Sequence, residues 1–200
     1  MKKLFFAAII AVFTMTSVNA QKFGAKLGLN LATVTNYDNA KMKTGFHVGG
    51  VAEFEITEQF TFQPEIVFSM QGVKINNGVE GVGGLDDSRL KLNYINVPLI
   101  AKYYVTEALS IQAGPQIGFL MSANYAESAF GGVSDTDLDV KDDKNSIDYG
   151  VDFGVGYKMD FGLFIDARYN LGLADIFKDN PTDTTFKNNV ISISVGYFFN

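Results

Sequence analysis

Tyr149-Gly150-Val151-Asp152-Phe153-Gly154-Val155-Gly156-Tyr157-Lys158 alternates without a lapse. Each odd position is aromatic or branched, and each even position is glycine, aspartate or lysine. Successive side chains on a β-strand point to opposite faces, so this stretch predicts a strand with one apolar face and one face of small and charged residues. The same pattern recurs in seven more windows, at 23–31, 45–56, 60–71, 95–103, 109–125, 161–171 and 191–199. The longest sets Leu109, Ile111, Ala113, Ile117, Phe119, Met121, Ala123 and Tyr125 on its apolar face. None of the apolar faces carries a charge. The opposite faces carry Lys26, Glu53, Glu55, Glu65, Lys102, Asp148, Asp152, Lys158, Asp166 and Arg168.

The connections alternate as well. Thr57–Gln59, Val105–Ala108 and the Met159-Asp160 corner are tight, whereas Thr35–Lys43, Val73–Arg89, Ala126–Ile147 and Ala174–Asn188 are long and rich in Asp, Asn and Gly. Short turns at one end and long loops at the other are the plan of an up-and-down barrel that crosses a membrane. A soluble barrel can show the same alternation with its apolar face turned inward, as a periplasmic ligand carrier would. Two features favour the membrane. The non-apolar face is dominated by Gly, Ser, Asn and Gln, which suit the narrow interior of an eight-stranded barrel. In addition, Phe23, Phe60, Phe62, Tyr103, Tyr157, Phe161, Tyr197 and Phe199 gather near the short-turn rim as an aromatic girdle. Pro64, Pro98 and Pro115 fall inside predicted strands, where each removes a ladder donor and calls for a bulge.

Composition agrees with export and excludes several chemistries. The 200 residues hold 16 Lys+Arg against 22 Asp+Glu, a net charge of −6. Nucleic-acid binding, which needs a basic stripe, is not expected. Cysteine is absent and histidine occurs once, so thiolate sites, a Cys nucleophile and His-based zinc are excluded. Met1-Lys2-Lys3, the apolar run Leu4–Phe13 and Val18-Asn19-Ala20 before Gln21 form the three parts of a secretory signal peptide. Two segments follow: 1–20 as leader, and 21–200 as one barrel domain.

Gly24-Ala25-Lys26-Leu27-Gly28, Phe62-Gln63-Pro64-Glu65-Ile66, Leu92-Asn93-Tyr94-Ile95-Asn96-Val97-Pro98-Leu99 with Lys102-Tyr103-Tyr104, and Gly114-Pro115-Gln116-Ile117-Gly118 resemble the PorT-like outer-membrane β-barrel family. The resemblance spans nearly the whole mature chain. It implies an all-β fold, an eight-stranded antiparallel up-and-down transmembrane β-barrel of OmpA/OmpX-like architecture, located in a Gram-negative-type cell outer membrane. Most such barrels have no assigned activity. The chain ends Phe198-Phe199-Asn200, so the terminal aromatic read by the barrel-insertion machinery is displaced by one residue. The partners expected are outer-membrane lipid, that machinery through the C-terminal strand, and an extracellular or envelope protein.

Three sets of residues invite a chemical reading. His47 is placed in the lumen near the long-loop rim, where a lipid-acyl enzyme would set a base beside a serine. Ser88, Ser128 and Ser134 supply hydroxyls but no spacing that links them to it. Asp135, Asp137 and Asp139, followed by Asp142 and Asp143, open like a calcium loop. Val140 replaces the turn glycine and Ser146 the chelating Glu, so the segment reads as a solvated acidic loop. Lys26, Glu53, Glu55, Glu65, Lys102, Asp152, Lys158, Asp166 and Arg168 are expected to pair across the lumen as a charge network, with Arg168 as its hub. An unpaired buried charge costs several kcal/mol, so a filled lumen is expected over a narrow pore. No catalytic residue, metal or cofactor is expected.

Overall fold

The computed structural model describes residues 21–36, 39–75, 88–128, 135–178 and 184–199. Residues 1–20, expected from sequence to be a leader, Ser134 and the terminal Asn200 lie outside the described residues, as do the side chains of Ser128, Asp135 and Asp137. Nine strands follow in order: β1 (Gln21–Val34), β2 (Ala40–Glu55), β3 (Phe60–Ile75), β4 (Ser88–Tyr104), β5 (Leu109–Ser128), β6 (Asp135–Asp139), β7 (Ile147–Lys158), β8 (Leu163–Gly172) and β9 (Asn188–Phe199). A single 3₁₀ turn, Lys141–Asp143, stands between β6 and β7. Every pairing is antiparallel, and the sheet order β4-β3-β2-β1-β9-β8-β7-β5 closes on itself through β4 and β5. Eight strands therefore form the ring. β6 is a short return strand on the free upper end of β5, from Asn124↔Asp139 to Ser128↔Asp135, inside what reads from sequence as loop.

The alternation decides which face meets lipid. Leu27, Leu29, Val48, Ile66, Ile111, Phe153, Val155, Ile193 and their neighbours point outward and are exposed. Lys26, Glu53, Glu65, Lys102, Asp166 and Arg168 are each at most 5% exposed, inside the ring. That is the reverse of a soluble barrel and removes the periplasmic-carrier reading, in which the apolar face would line the interior. The girdle residues Phe23, Phe60, Tyr103, Tyr157, Phe161, Tyr197 and Phe199 are exposed around the short-turn end, where β1 and β9 also meet at Phe23↔Phe199.

Three features depart from the pattern. The strands outrun the apolar belt: β3 continues to Ile75 and β4 begins at Ser88, both inside a predicted loop. In this extension the faces invert. Leu90, Leu92 and Tyr94 are buried inside the ring, and Arg89 is exposed outside it, because beyond the bilayer the outer face meets water. Second, the β4–β5 register shifts between Asn93↔Ser122 and Tyr94↔Leu120, leaving Met121 as an extra residue. Such a bulge reverses the facing of everything beyond it. Ala123 is 0% exposed and Tyr125 packs against the interior cluster, so both leave the apolar outer face assigned to them. Third, no bulge accompanies the prolines. Pairing lapses between Pro64↔Leu99 and Val67↔Asn96, and between Pro98↔Gln116 and Ala101↔Ala113, then resumes in the same register. A missing N–H removes a rung without adding a residue.

Candidate functional site

Among the described residues, charged side chains converge away from water in the lumen, and its contents stack in layers. At the short-turn end Phe164 and Phe198 face inward with Val51, their rings 4.7 Å apart. Gly196 makes room for them, since a Cβ there would lie 2.2 Å from the Phe164 ring. Beside them, Glu53 is held by Lys158 at 2.7 Å and Lys102 at 3.5 Å, and the Tyr104 hydroxyl donates to it at 3.2 Å. Lys102 also lies 5.5 Å from the centre of the Phe164 ring, a cation–π approach.

The middle layer is built around Glu65. Arg168 Nη2 meets one of its oxygens at 2.7 Å and Lys26 Nζ the other at 2.8 Å. Asp166 sits 3.4 Å from Arg168 Nε and 3.8 Å from Lys26. Two amides complete the layer: Gln63 donates to Glu65 at 2.6 Å, and Arg168 Nε donates to Gln112 Oε1 at 2.8 Å. Asp152 stands apart from these ion pairs, accepting a bond from Asn170 at 3.1 Å. Glu55 is not part of the interior at all. It pairs with Lys22 at 2.7 Å, both side chains more than a third exposed, because β2 at that point has reached the short-turn rim. Arg168 therefore gathers Glu65 and Asp166, while Glu53 belongs to the separate lysine layer below. The interior holds Lys26, Lys102, Lys158 and Arg168 with Glu53, Glu65, Asp152 and Asp166, and a fifth acid, Asp148, lies on the same face of β7 beside Asn188.

Above this layer lies a residual cavity of about 40 Å³, room for a few water molecules. His47 lines it, 3% exposed and enclosed within the lumen, not at the rim. Its Nδ1 is 2.8 Å from Asn30 Oδ1 and its Nε2 is 2.8 Å from Ser194 Oγ. The Asn30 amide nitrogen donates to Ser69 Oγ at 2.9 Å and to the Met70 carbonyl at 3.1 Å. Its oxygen must therefore accept, which puts the imidazole proton on Nδ1 and leaves Nε2 to accept from Ser194. Ser–His–Asn is the order of an activated nucleophile. Here all three side chains are at most 3% exposed, enclosed within the barrel wall. Ser88, one of the hydroxyls considered from sequence, is buried at the start of β4, opposite Ile75.

The imidazole fits only because Gly28 faces it. A Cβ at Gly28 would lie 2.6 Å from His47 Cε1 and 2.1 Å from the Ile193 carbonyl oxygen. Gly28→Ala is expected to cost about 1–3 kcal/mol through overpacking. The check is a lower urea midpoint for the folded, compact gel band; an unchanged midpoint would mean that the His47 pocket yields freely.

The long-loop end is closed by apolar packing. Val34, Val73, Ile75, Leu90, Leu92, Tyr94, Leu120, Ala123 and Ile176 form one buried cluster. Ile176 comes from the segment after β8, which is pinned down by Asn145 Nδ2 donating to the Asp175 and Phe177 carbonyls at 2.8 and 3.0 Å. Lys144 covers the Phe177 ring at 3.8 Å. Burial pulls the pKa of Lys144 below its usual value, and the neighbouring Asp143 partly offsets this. In the acidic stretch Asp139 accepts the Lys141 N–H at 2.9 Å.

Parity along each strand puts Gln63, Gln112, Asn30 and Ser194 on the non-apolar face without linking them to the charges. Parity identified them, but only barrel closure shows which strand each one reaches. Tyr104, Phe164 and Phe198 escaped notice because aromatics on that face break the small-residue pattern.

Comparison with known proteins places this geometry. No curated protein matches the chain in sequence. Among solved structures, Neisserial surface protein A is 17% identical, with 90% of this chain and 100% of that one covered and a TM-score of 0.59. The attachment invasion locus protein Ail of Yersinia pestis is 17% identical (89% and 98% covered, TM-score 0.48), and the outer membrane protein OprG of Pseudomonas aeruginosa is 12% identical (90% and 97%, TM-score 0.43). At these identities the first likeness speaks to the fold alone. The closed eight-strand ring with its outward apolar belt resides in the cell outer membrane. Residues 19–178 match the family model described as outer membrane protein beta-barrel domain, and the chain belongs to that family.

Proposed function

We propose that the protein is a closed barrel with a structural or interaction role, without catalysis and without steady ion conduction. The observation that carries this reading is the stacked filling of the lumen: two aromatic rings, two ion-pair layers, a His–Asn–Ser layer and an apolar cap. An ion crossing it has to break Glu65 away from Arg168 and Lys26, which leaves buried charges unpaired. The enclosure of Ser194 and His47 supports the non-catalytic reading. The loop end is the surface available to an extracellular or envelope protein. Export through the leader at 1–20 and insertion through the β9 sequence Ile191, Ile193, Val195, Tyr197, Phe199 complete the proposal. The finer PorT-like assignment rests on Leu92–Leu99 and Lys102-Tyr103-Tyr104. Membership of a fold family does not by itself carry a physiological role with it.

Planar-bilayer recording is the test. Purified protein is expected to show no steady channel steps, whereas a variant lacking both Phe164 and Phe198 side chains and Glu53 shows them or fails to insert. Sustained conductance from the unmodified protein would overturn the closed-lumen reading.

A further inference from the structure

Inside the ring five acids stand against four bases, and the surplus falls on β7. Glu53, Glu65 and Asp166 each lie against two cations. Asp148 and Asp152 make no ion pair among the described residues. Asp148 is only partly buried and accepts a bond from Asn188. Asp152 is 4% exposed. Its Oδ1 accepts from Asn170 at 3.1 Å, and its Oδ2 has no hydrogen-bond partner among the described residues. Arg168 on the neighbouring strand β8 is committed to Glu65, Asp166 and Gln112.

A carboxylate enclosed in this way is strongly destabilising unless a positive charge balances it. A bound proton would make Oδ2 a donor, yet no acceptor lies within its reach. Asp152 instead lines the cavity of about 40 Å³. Asn96, Gln116 and Ser192 line the same space, and their side chains make no hydrogen bond among the described residues. The register keeps that space open. Asp152 stands opposite Gly114 and Gln116 opposite Gly150, so two glycines flank the diagonal between the carboxylate and the amide.

We infer that this cavity is an occluded site for one small monovalent cation, anchored by Asp152, with the side-chain oxygens of Asn96, Gln116 and Ser192 lining the same space. Neutral oxygens beside a single carboxylate suit one positive charge, whereas divalent cations gather several carboxylates. The volume admits an ion with its nearest water and no organic molecule. The ionic layer around Glu65 and the apolar cluster at the long-loop end enclose it. Such an ion is held and not conducted. It stabilises the barrel because the unfolded chain offers no equivalent site.

The test follows urea unfolding of the full-length mature protein in lipid vesicles by loss of the compact gel band. Sodium or potassium chloride is exchanged for N-methylglucamine chloride at constant ionic strength. Once either alkali ion exceeds its dissociation constant, the folded-to-unfolded ratio at fixed urea should rise about tenfold per tenfold increase in concentration, the slope of a single site. Asp152→Asn keeps the shape and the Asn170 contact without the charge. It should show no alkali-ion response and, in N-methylglucamine alone, be at least as stable as the unmodified protein. Gln116→Leu should need about tenfold more of the ion for the same response, and it carries the test if Asp152→Asn does not fold. An unmodified protein indifferent to both ions would overturn the inference, and a midpoint that then rises on acidification would assign the balancing charge to a proton. An equal response in Asp152→Asn would overturn it by placing the ion elsewhere. Stability lost in Asp152→Asn to the same extent at every ion concentration would overturn it as well, leaving the carboxylate as a hydrogen-bond acceptor only.

Discussion

Arg168→Ala is expected to destabilise the folded barrel by about 3–5 kcal/mol, the usual consequence of removing one partner from a buried ion pair. The side chain holds Glu65 at 2.7 Å and Asp166 at 3.4 Å and donates to Gln112 at 2.8 Å, all inside the ring. Without it Lys26 alone faces two carboxylates, and the Gln112 oxygen loses its donor. Urea unfolding in lipid vesicles, followed by loss of the compact gel band, measures the change. Removing both sides of the pair together makes the measurement diagnostic. A variant with Arg168→Met and Glu65→Gln discards one charge of each sign, so it should recover a large part of the loss. If Arg168→Ala leaves the midpoint within 0.5 kcal/mol of wild type, roughly the scatter of inconsequential substitutions, the middle layer does not hold the barrel.

Val155→Arg tests the outside of the same wall. Val155 is half exposed on β7, on the lipid-facing side of a rung shared with Ile111 and Ala167. An arginine near the bilayer midplane of a barrel costs about 2–4 kcal/mol. Assembly into outer membrane is therefore expected to fall sharply. Ser192→Ala, on a lumen-lining position of β9, should assemble normally. Equal yields of the two variants in the outer-membrane fraction would mean that the apolar belt does not lie in hydrocarbon.

The alternation at Tyr149–Lys158 and its seven companions was enough to derive the ring, its orientation and the inward placement of the charges. Period-two patterning is a local property, and a one-residue slip would turn every charge into lipid. The same rule failed beyond Met121, because one extra residue in β5 reverses the facing of Ala123 and Tyr125 and nothing in the local pattern announces it. It failed differently at Leu90, Leu92 and Tyr94. Those residues obey alternation, but the solvent outside the wall has changed from lipid to water and the preferred face changes with it.

Sequence by itself determined the strand faces below Met121, the girdle, and the face on which each charge stands, since each follows from parity along a single strand. The partners of those charges were decided only by the tertiary structure. Glu55 and Glu53 share a face two residues apart, yet one meets Lys22 at the wet rim and the other Lys158 and Lys102 in the interior. Depth along a tilted strand and the identity of the wall across the lumen depend on how eight strands close into a ring. His47 shows the same limit: the bond to Ser194 joins residues 147 positions apart, and only closure between β1 and β9, with β2 beside them, brings them together. Pairing across a barrel is a property of the closed ring, and no single strand carries it.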